Sequence, residues 1–424
     1  MAADVAGAGV GAPARFGWAR HLGLSAGWFG FNFHWLPIPL VLVPNQVLAL
    51  VPHSQLGSGI AAITATGAIF AVTVPPLVGH WSDRLTTRWG RRRPILVAGT
   101  LGDLVGLALL GTAHSYAQLL VGYVLIQFFY NAAGAAYAGM IPDVVPEAEF
   151  GSASGWLGAM NQFGGVVGVG VASVLAGFGH ANSTYGVIGV VVLVTLVPVL
   201  ITARGEGLTP LPERARMPFG QAAKEFVRPL AQGNFAWVIF TRFMVTAGIW
   251  VVANFLLPFF HDVARVPNAA QFTATFLLIV YLTATPTGFV GGLVSDRLGR
   301  KPFVYASGAF QAFVALIFIV FYPTAVPILI ALGAIYGLGF GLYYAVDWAL
   351  ACDTLPDPGH AAKDMGLFHV AFTLPQVLVP SIAGPVLDYF NHSSPNSGYR
   401  VIFSAAVVFM LLGSYFVSRI RGVR

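Results

Sequence analysis

The chain alternates between long apolar runs and short polar segments along its length. A helix needs about 20 apolar residues to cross a hydrocarbon core about 30 Å thick. Twelve runs meet that length, the first from about Trp18 to Val43 and the last from about Tyr399 to Val417. Because backbone groups in lipid must be hydrogen-bonded within their own helix, this pattern predicts an all-α membrane protein with twelve transmembrane helices.

One polar segment, residues 204–233, is longer than the other loops and contains eight charged residues and four prolines. Such a composition is typical of a connector rather than of a membrane span. The sequence therefore predicts an N-terminal six-helix bundle over residues 1–203, a cytoplasmic linker over residues 204–233 and a C-terminal six-helix bundle over residues 234–424.

Composition agrees with a membrane location, since 57% of the residues are hydrophobic and only 9% are charged, against about 25% charged in soluble domains. The net charge of +6 does not indicate nucleic-acid binding, because the basic residues lie in short loops between apolar runs. With both termini in the cytoplasm, 19 of the 22 basic residues fall on the cytoplasmic side. The positive-inside rule thus predicts a multi-pass plasma (inner) membrane protein with cytoplasmic termini.

Two motifs repeat half a chain apart. The stretch GHWSDRLTTRWGRRRP, from Gly79 to Pro94, returns in reduced form as GGLVSDRLGRKP, from Gly291 to Pro302, with 213 residues between the two Asp-Arg pairs. The segment from Ile141 to Pro146 corresponds to Ala351–Pro356 at an offset of 210. Two motifs at nearly one offset predict two pseudo-symmetric six-helix halves, an arrangement known from transporters that bind solute between the halves.

These residues resemble the major facilitator superfamily. Its loop motif, Gly-x-x-x-Asp-Arg-x-Gly-Arg-Arg/Lys, is matched by Gly292 and by the run Asp296–Lys301. The longer first copy, DRLTTRWGRRRP, is similar to the glycoside–pentoside–hexuronide symporters and the sucrose transporters. The resemblance implies the major facilitator fold and transport of small solutes by alternating access.

The resemblance also implies a gate, because in this family the motif Asp pairs with the neighbouring bundle while the transporter faces outward, and the pair breaks as the halves rock. The residues expected to form it are Asp83, Arg84, Gly90, Arg91, Asp296, Arg297 and Arg300. The alternative is that the arginines of the first loop, Arg88 and Arg91 to Arg93, set only the orientation by facing anionic lipid.

Three charged residues lie inside apolar runs, away from their ends: Asp103 in the third, Arg242 in the seventh and Asp347 in the tenth. A charge in the bilayer costs about 2.5–3.5 kcal/mol on insertion scales and usually has a function or a partner. We hypothesise that Asp347 or Asp103 carries a coupling proton, favoured by desolvation. The alternative is that a nearby base or hydroxyl neutralises each acid and that the pair only stabilises packing.

Amides, histidines and aromatic residues recur at positions suited to a central path, and such groups bind neutral polyols. The alternative is that the amides form interhelix hydrogen bonds and that the aromatic rings face lipid. The candidates for the substrate and ion pathway, besides the three ionisable residues, are Asn32, His34, Gln127, Tyr130, Asn131, Asn161, Gln162, Trp250, Asn254, Trp348, His369 and Gln376.

No phosphate loop, metal-binding spacing or nucleophile elbow occurs in the sequence, so we expect no enzyme activity, no cofactor and no metal. The leading hypothesis is a monomeric, proton-coupled sugar or glycoside symporter. The resemblance also disfavours sodium, because the sodium-coupled glycoside symporters carry carboxylates in the second helix and the second run here, Ser58 to Trp81, contains none. The alternatives are proton-coupled efflux of amphipathic compounds by antiport, and a non-transporting membrane receptor or assembly protein.

Overall fold

A computed structural model describes residues 16–85, 87–146, 149–204, 228–231, 233–355 and 361–422. Within these ranges twelve helices are long and apolar enough to cross a membrane, which confirms the predicted all-α fold class. They are α1 Trp18–Leu50, α2 Leu56–Arg84, α3 Arg93–Gly111, α4 Tyr116–Val144, α5 Phe150–Gly177, α6 Ser183–Thr202, α7 Gly233–Asp262, α8 Ala269–Leu298, α9 Lys301–Phe321, α10 Val326–Asp353, α11 Ala361–Ser393 and α12 Ser397–Phe416.

Helix α1 is not uniform along its length. Its α-helical first part ends at Trp35, a π-helical turn spans Ile38–Leu42, and a second α-helical part runs over Val43–Leu50. Proline inside a helix removes a backbone hydrogen bond and crowds the preceding turn, and Pro37 and Pro39 lie at this break. The span continues past the predicted end near Val43, until Val51 adopts an extended backbone.

Within each set of six helices, the packing repeats. Helix α4 packs against α2 and α3, as α10 packs against α8 and α9, and α1 packs against α5 and α6, as α7 packs against α11 and α12. The two sets meet mainly where α2 contacts α11 and α5 contacts α8. Residues 205–227 and 232 lie outside the described residues, so the domain boundaries within 204–233 stay a prediction.

Glycines allow the closest of these helix contacts, because small residues let two backbones approach. A Cβ on Gly164 or Gly168 of α5 would collide with the backbone of Phe29 or Phe33 in α1. The helix ends divide into two groups. We call the end with Arg84, Arg93, Val144, Leu298 and Asp353 the motif end, and the end with Leu56, Gly111, Gly177, Asp262 and Ser393 the far end.

Candidate functional site

A histidine and an aspartate form a buried pair in the first half. Nε2 of His34 in α1 lies 3.1 Å from Oδ1 of Asp103, near the middle of α3. Only 1% and 3% of these side chains are exposed. The ring of Tyr130 in α4 stacks on His34 with centroids 4.7 Å apart. Three helices therefore converge on one titratable acid–base pair, whose members the sequence predicted separately.

The second half contains a different buried pair. Nη1 of Arg242 in α7 donates to Oδ2 of Asp347 in α10 at 2.5 Å, and both side chains are buried. The guanidinium of Arg242 also lies 3.6 Å from the ring centroid of Phe368 and 5.3 Å from that of Phe372, both in α11. These are favourable cation–π distances. In both halves the acid thus has a basic partner, as the packing alternative describes.

The predicted pathway amides on α1, α4 and α7 bond locally. Asn131 Nδ2 donates to the backbone oxygen of Gln127 at 2.7 Å and to its Oε1 at 3.1 Å, so these two residues share a helix face as their spacing of four predicts. Asn254 Nδ2 donates to the carbonyl of Trp250 at 2.9 Å. Asn32 Nδ2 donates to the carbonyl of Trp28 at 3.4 Å. For these donors the interhelix alternative is wrong, because each bond stays within one helix.

Four further pathway candidates lie on α5 and α11. On α5, Asn161 is half-buried and Gln162 exposed, and on α11, His369 is exposed and Gln376 half-buried. The side chain of Trp348 lies outside the described residues.

An aromatic cluster in the second half surrounds Tyr344 of α10. Its ring centroid lies 4.6 Å from that of Phe340 and 6.2 Å from that of Phe372. The cluster extends to Tyr281 of α8, 5.6 Å from Phe340, and to buried Trp250, 6.3 Å from Phe372. Four helices of the second half therefore share one aromatic surface.

At the motif end of the first half, one carboxylate binds two arginines. Nε of Arg91 and Nε of Arg92 each lie 3.1 Å from Oδ2 of Asp143. Arg92 Nη1 also donates to Ser82 Oγ at 3.1 Å. Both arginines are buried, so the expectation that they face anionic lipid is wrong for them. Asp143 lies in the last turn of α4 and not in a loop.

The second half repeats this arrangement. Nε of Arg300 lies 3.4 Å from Oδ2 of Asp353, and its Nη1 donates to Ser295 Oγ at 2.7 Å. Ser82 and Ser295 belong to one sequence repeat, and Asp143 and Asp353 to the other. Within each half, an arginine of the loop motif therefore contacts the serine of its own motif and the aspartate of the other motif. The repetition of these serines and aspartates in the sequence was the signal for the contacts. The predicted gating residues included neither the two serines nor the two aspartates.

The other predicted gating residues are less well defined. Gly90 has a φ of 93°, in the left-handed region that favours glycine, so it shapes the turn before Arg91. Arg297 is exposed. The side chains of Asp83, Arg84 and Asp296 lie outside the described residues, so their gating role stays a prediction.

At the far end, helix α2 of the first half begins against α11 of the second. The backbone N–H groups of Gly57 and Ser58 donate to the two carboxylate oxygens of Asp388 at 2.8 and 2.7 Å. A carboxylate is stabilised there because the first N–H groups of a helix have no partner within it. Gly57 and Gly384 are in such close contact that a Cβ on either would collide with the carbonyl of the other.

Helices α5 and α8 close the same end. Ser173 Oγ and Thr275 Oγ1 lie 2.7 Å apart, and Asn268 Nδ2 donates to the carbonyl of Ala176 at 2.8 Å. His53 Nε2 lies 3.4 Å from Oδ2 of Asp262. Among contacts between described side chains, the hydrogen bonds and ion pairs that join the two halves all lie here. The molecule is therefore closed at the far end.

Comparison with known proteins identifies the family. The sequence profile of the Major Facilitator Superfamily matches residues 22–380 and, in a second match, residues 267–423. The chain belongs to this superfamily. The fold agrees: the bacterial homolog of the human lysosomal transporter Spinster has a TM-score of 0.69 at 15% identity over 94% of this chain and 95% of that one. The nucleoside transporter NupG has a TM-score of 0.70 at 14% identity over 95% and 99%.

Three curated relatives match shorter segments of this chain. The class E tetracycline resistance protein of Escherichia coli is 33% identical over 129 residues, 30% of each chain. A sucrose transport protein of Arabidopsis thaliana is 34% identical over 84 residues, 20% of this chain and 16% of its own. The human proton-associated sugar transporter A is 32% identical over 168 residues, 35% and 22%. The matches thus span less than a third of each relative.

Proposed function

We propose that this transporter imports a small polar solute, a sugar or a glycoside, together with protons by alternating access. The observation that carries the proposal is the buried His34–Asp103 pair. When Asp103 is ionised and His34 is neutral, the pair has a net negative charge, and uptake of one proton removes it. An isolated buried charge is strongly disfavoured, so the added proton removes an unfavourable charge from the interior. Rocking of the halves then gives the pair access to water, where the proton is exchanged.

The Arg242–Asp347 pair is assigned a different role. Arginine stays protonated in proteins, so this pair is already neutral overall and gains nothing by binding a proton. Its contacts join α7, α10 and α11. We therefore assign coupling to Asp103 with His34, and anchoring of the second half to Asp347 with Arg242.

The substrate class rests on groups beside the proton pair. Tyr130 stacks on His34 and also on Trp35, 5.4 Å away, and the next residue, Asn131, pairs with Gln127. Aromatic faces and amides are the groups that fix the ring and hydroxyls of a neutral polyol. The loop motif and the sugar-transporting relatives support the same class.

The orientation follows the distribution of Lys and Arg, which assigns the motif end to the cytoplasm. The far end then faces the outside, where α2 meets α11 and α5 meets α8. The closed far end therefore represents a state without access from outside, and uptake requires these contacts to break and re-form in each cycle.

Transport in proteoliposomes tests the proposal. An inward proton gradient is imposed, and labelled disaccharides and glycosides are offered at the outer surface. We expect one of them to accumulate, a protonophore to abolish the accumulation, and sugar addition without a gradient to acidify the lumen. Accumulation that persists with the protonophore would contradict proton coupling, and transport confined to other solute classes would contradict the sugar assignment.

Efflux of an amphipathic compound is the second candidate. The aromatic cluster around Tyr344 and the similarity to the tetracycline resistance protein favour it. The same vesicles separate the two, since an inward proton gradient drives an antiported compound out and a symported sugar in. A receptor or assembly role predicts no flux with any solute and a partner that stays bound through purification.

A further inference from the structure

The turn between α1 and α2 is held between two carboxylates of the other half. Asp388 of α11 accepts the N–H groups of Gly57 and Ser58, where α2 begins. Asp262, the last residue of α7, has Oδ2 3.4 Å from Nε2 of His53, which lies in this turn. Backbone N–H groups make the contact with Asp388, whereas the contact with Asp262 is made by the imidazole of His53, which is charged only when protonated.

Asp262 is buried and has two further partners besides His53. Its side chain is 5% exposed, it accepts a hydrogen bond from the hydroxyl of Tyr399 at 2.5 Å, and Nδ1 of His261 lies 2.7 Å from its Oδ1. The rings of His53 and His261 are 6.5 Å apart. His53 is 62% exposed and His261 is 50% exposed, so both rings are accessible to solvent at this end.

We propose that this cluster is an acid-sensitive latch that holds the far end closed. Protonation of His53 converts its contact with Asp262 into an ion pair between the two halves. His261 belongs to the same half as Asp262 and keeps its carboxylate when the far end opens, whereas His53 loses it. The proton on His53 therefore stabilises the closed conformation selectively.

The other groups around His53 limit the effect without reversing it. A proton on His261, whose Nδ1 lies nearer to Asp262, repels a proton on His53 across the 6.5 Å between the rings and so weakens the effect. Asp388 adds a negative charge near the same turn and favours a cation there. The latch rests on the alternating access of the superfamily and does not depend on which solute is carried.

Distances between spin labels test the latch without a substrate. Labels are placed by His114→Cys and Thr324→Cys, which are exposed far-end positions of different halves, after Cys352→Ser removes the natural cysteine. The full chain is measured in lipid nanodiscs at about pH 7.5 and about pH 5.5, the range in which histidine changes charge. We expect the ratio of closed to open populations to rise about two- to fivefold on acidification, the effect of one exposed ion pair.

Two variants make the result specific. His53→Gln is expected to abolish the pH response, and His392→Gln, which alters another exposed histidine at the same end, is expected to keep it. A ratio that does not change with pH in the parent would overturn the latch. So would a full pH response in His53→Gln, because the charge would then act elsewhere, including at His34.

Discussion

The two halves of this protein share one frame of helices but differ in the buried charged pairs that they contain. His34 and Arg242 occupy corresponding places in the first helix of each half, 208 residues apart, close to the offsets of the sequence repeats. Their acids do not correspond. Asp103 comes from the third helix of its half, whereas Asp347 comes from the fourth helix of the other. The repeat therefore preserves the position of a base but not the helix that neutralises it.

The difference separates a pair that changes charge from a pair that does not. His34 has one carboxylate partner and the ring of Tyr130 against it, and an imidazole has both a neutral and a protonated form. Arg242 is held by Asp347 and by two phenylalanine rings and stays charged. The first half is thus suited to exchange a proton, while the buried pair of the second half keeps a constant charge and stabilises the packing of its helices.

The largest effect is expected from Arg242→Gln. It leaves the carboxylate of Asp347 buried without a cation, and breaking a buried pair in this way costs about 3–5 kcal/mol. Thermal unfolding of the purified protein in detergent measures the loss. The double variant Arg242→Gln/Asp347→Asn is expected to recover most of the stability, because no unpaired charge remains. A single variant as stable as the parent would remove the anchoring role.

A loss of coupling with a smaller loss of stability is expected from Asp103→Asn. The variant keeps a polar partner for His34 but has no negative charge for a proton to neutralise, so accumulation driven by a proton gradient ceases while exchange of solute continues. The stability cost is about 1–3 kcal/mol, that of disturbing one buried hydrogen bond. Gradient-driven uptake and counterflow in the same vesicles measure the two activities. If uptake survives in Asp103→Asn but not in Arg242→Gln/Asp347→Asn, the roles of the halves are reversed.

Effects on stability alone are expected at the motif end, where the halves also differ. Asp143 binds two arginines with 9% of its side chain exposed, while Asp353 binds Arg300 with 42% exposed. We expect Asp143→Asn to cost about 1–3 kcal/mol, because charge-assisted hydrogen bonds are lost at a buried site. Asp353→Asn is expected to cost less than about 1 kcal/mol, since water screens the exposed pair. Denaturant unfolding of both variants gives the comparison, and equal costs would contradict it.

Most of the fold was predictable from the order of residues. Helix number depends on the length of apolar runs, and the repeats show at once as copied motifs. The predictions were less accurate at helix ends: α1 was expected to end near Val43 but runs on to Leu50. Hydropathy falls at the membrane boundary, but a helix continues until its backbone meets a break or a cap, so the two ends need not coincide.

The candidate site was predictable only in part. Asp103, Arg242 and Asp347 stand out because a charge in an apolar run is rare, and His34 because it lies beside a proline break. Their pairing was not predictable, since the partners are 69 and 105 residues apart and no local pattern links them. The sequence repeats identified Asp143 and Asp353 as corresponding positions. Their contacts with the arginines of the loop motif were likewise not predictable from the sequence.

Hydropathy and repetition are one-dimensional properties, so the twelve helices, the two related halves and the presence of intramembrane charges can all be read along the chain. Which acid contacts which base depends on how the helices pack. In the first half the third helix supplies the acid, and in the second half the fourth helix supplies it. Closure at the far end is also a property of packing alone, because it arises where Gly57 and Gly384 allow two backbones to touch and Asp388 reaches the start of α2.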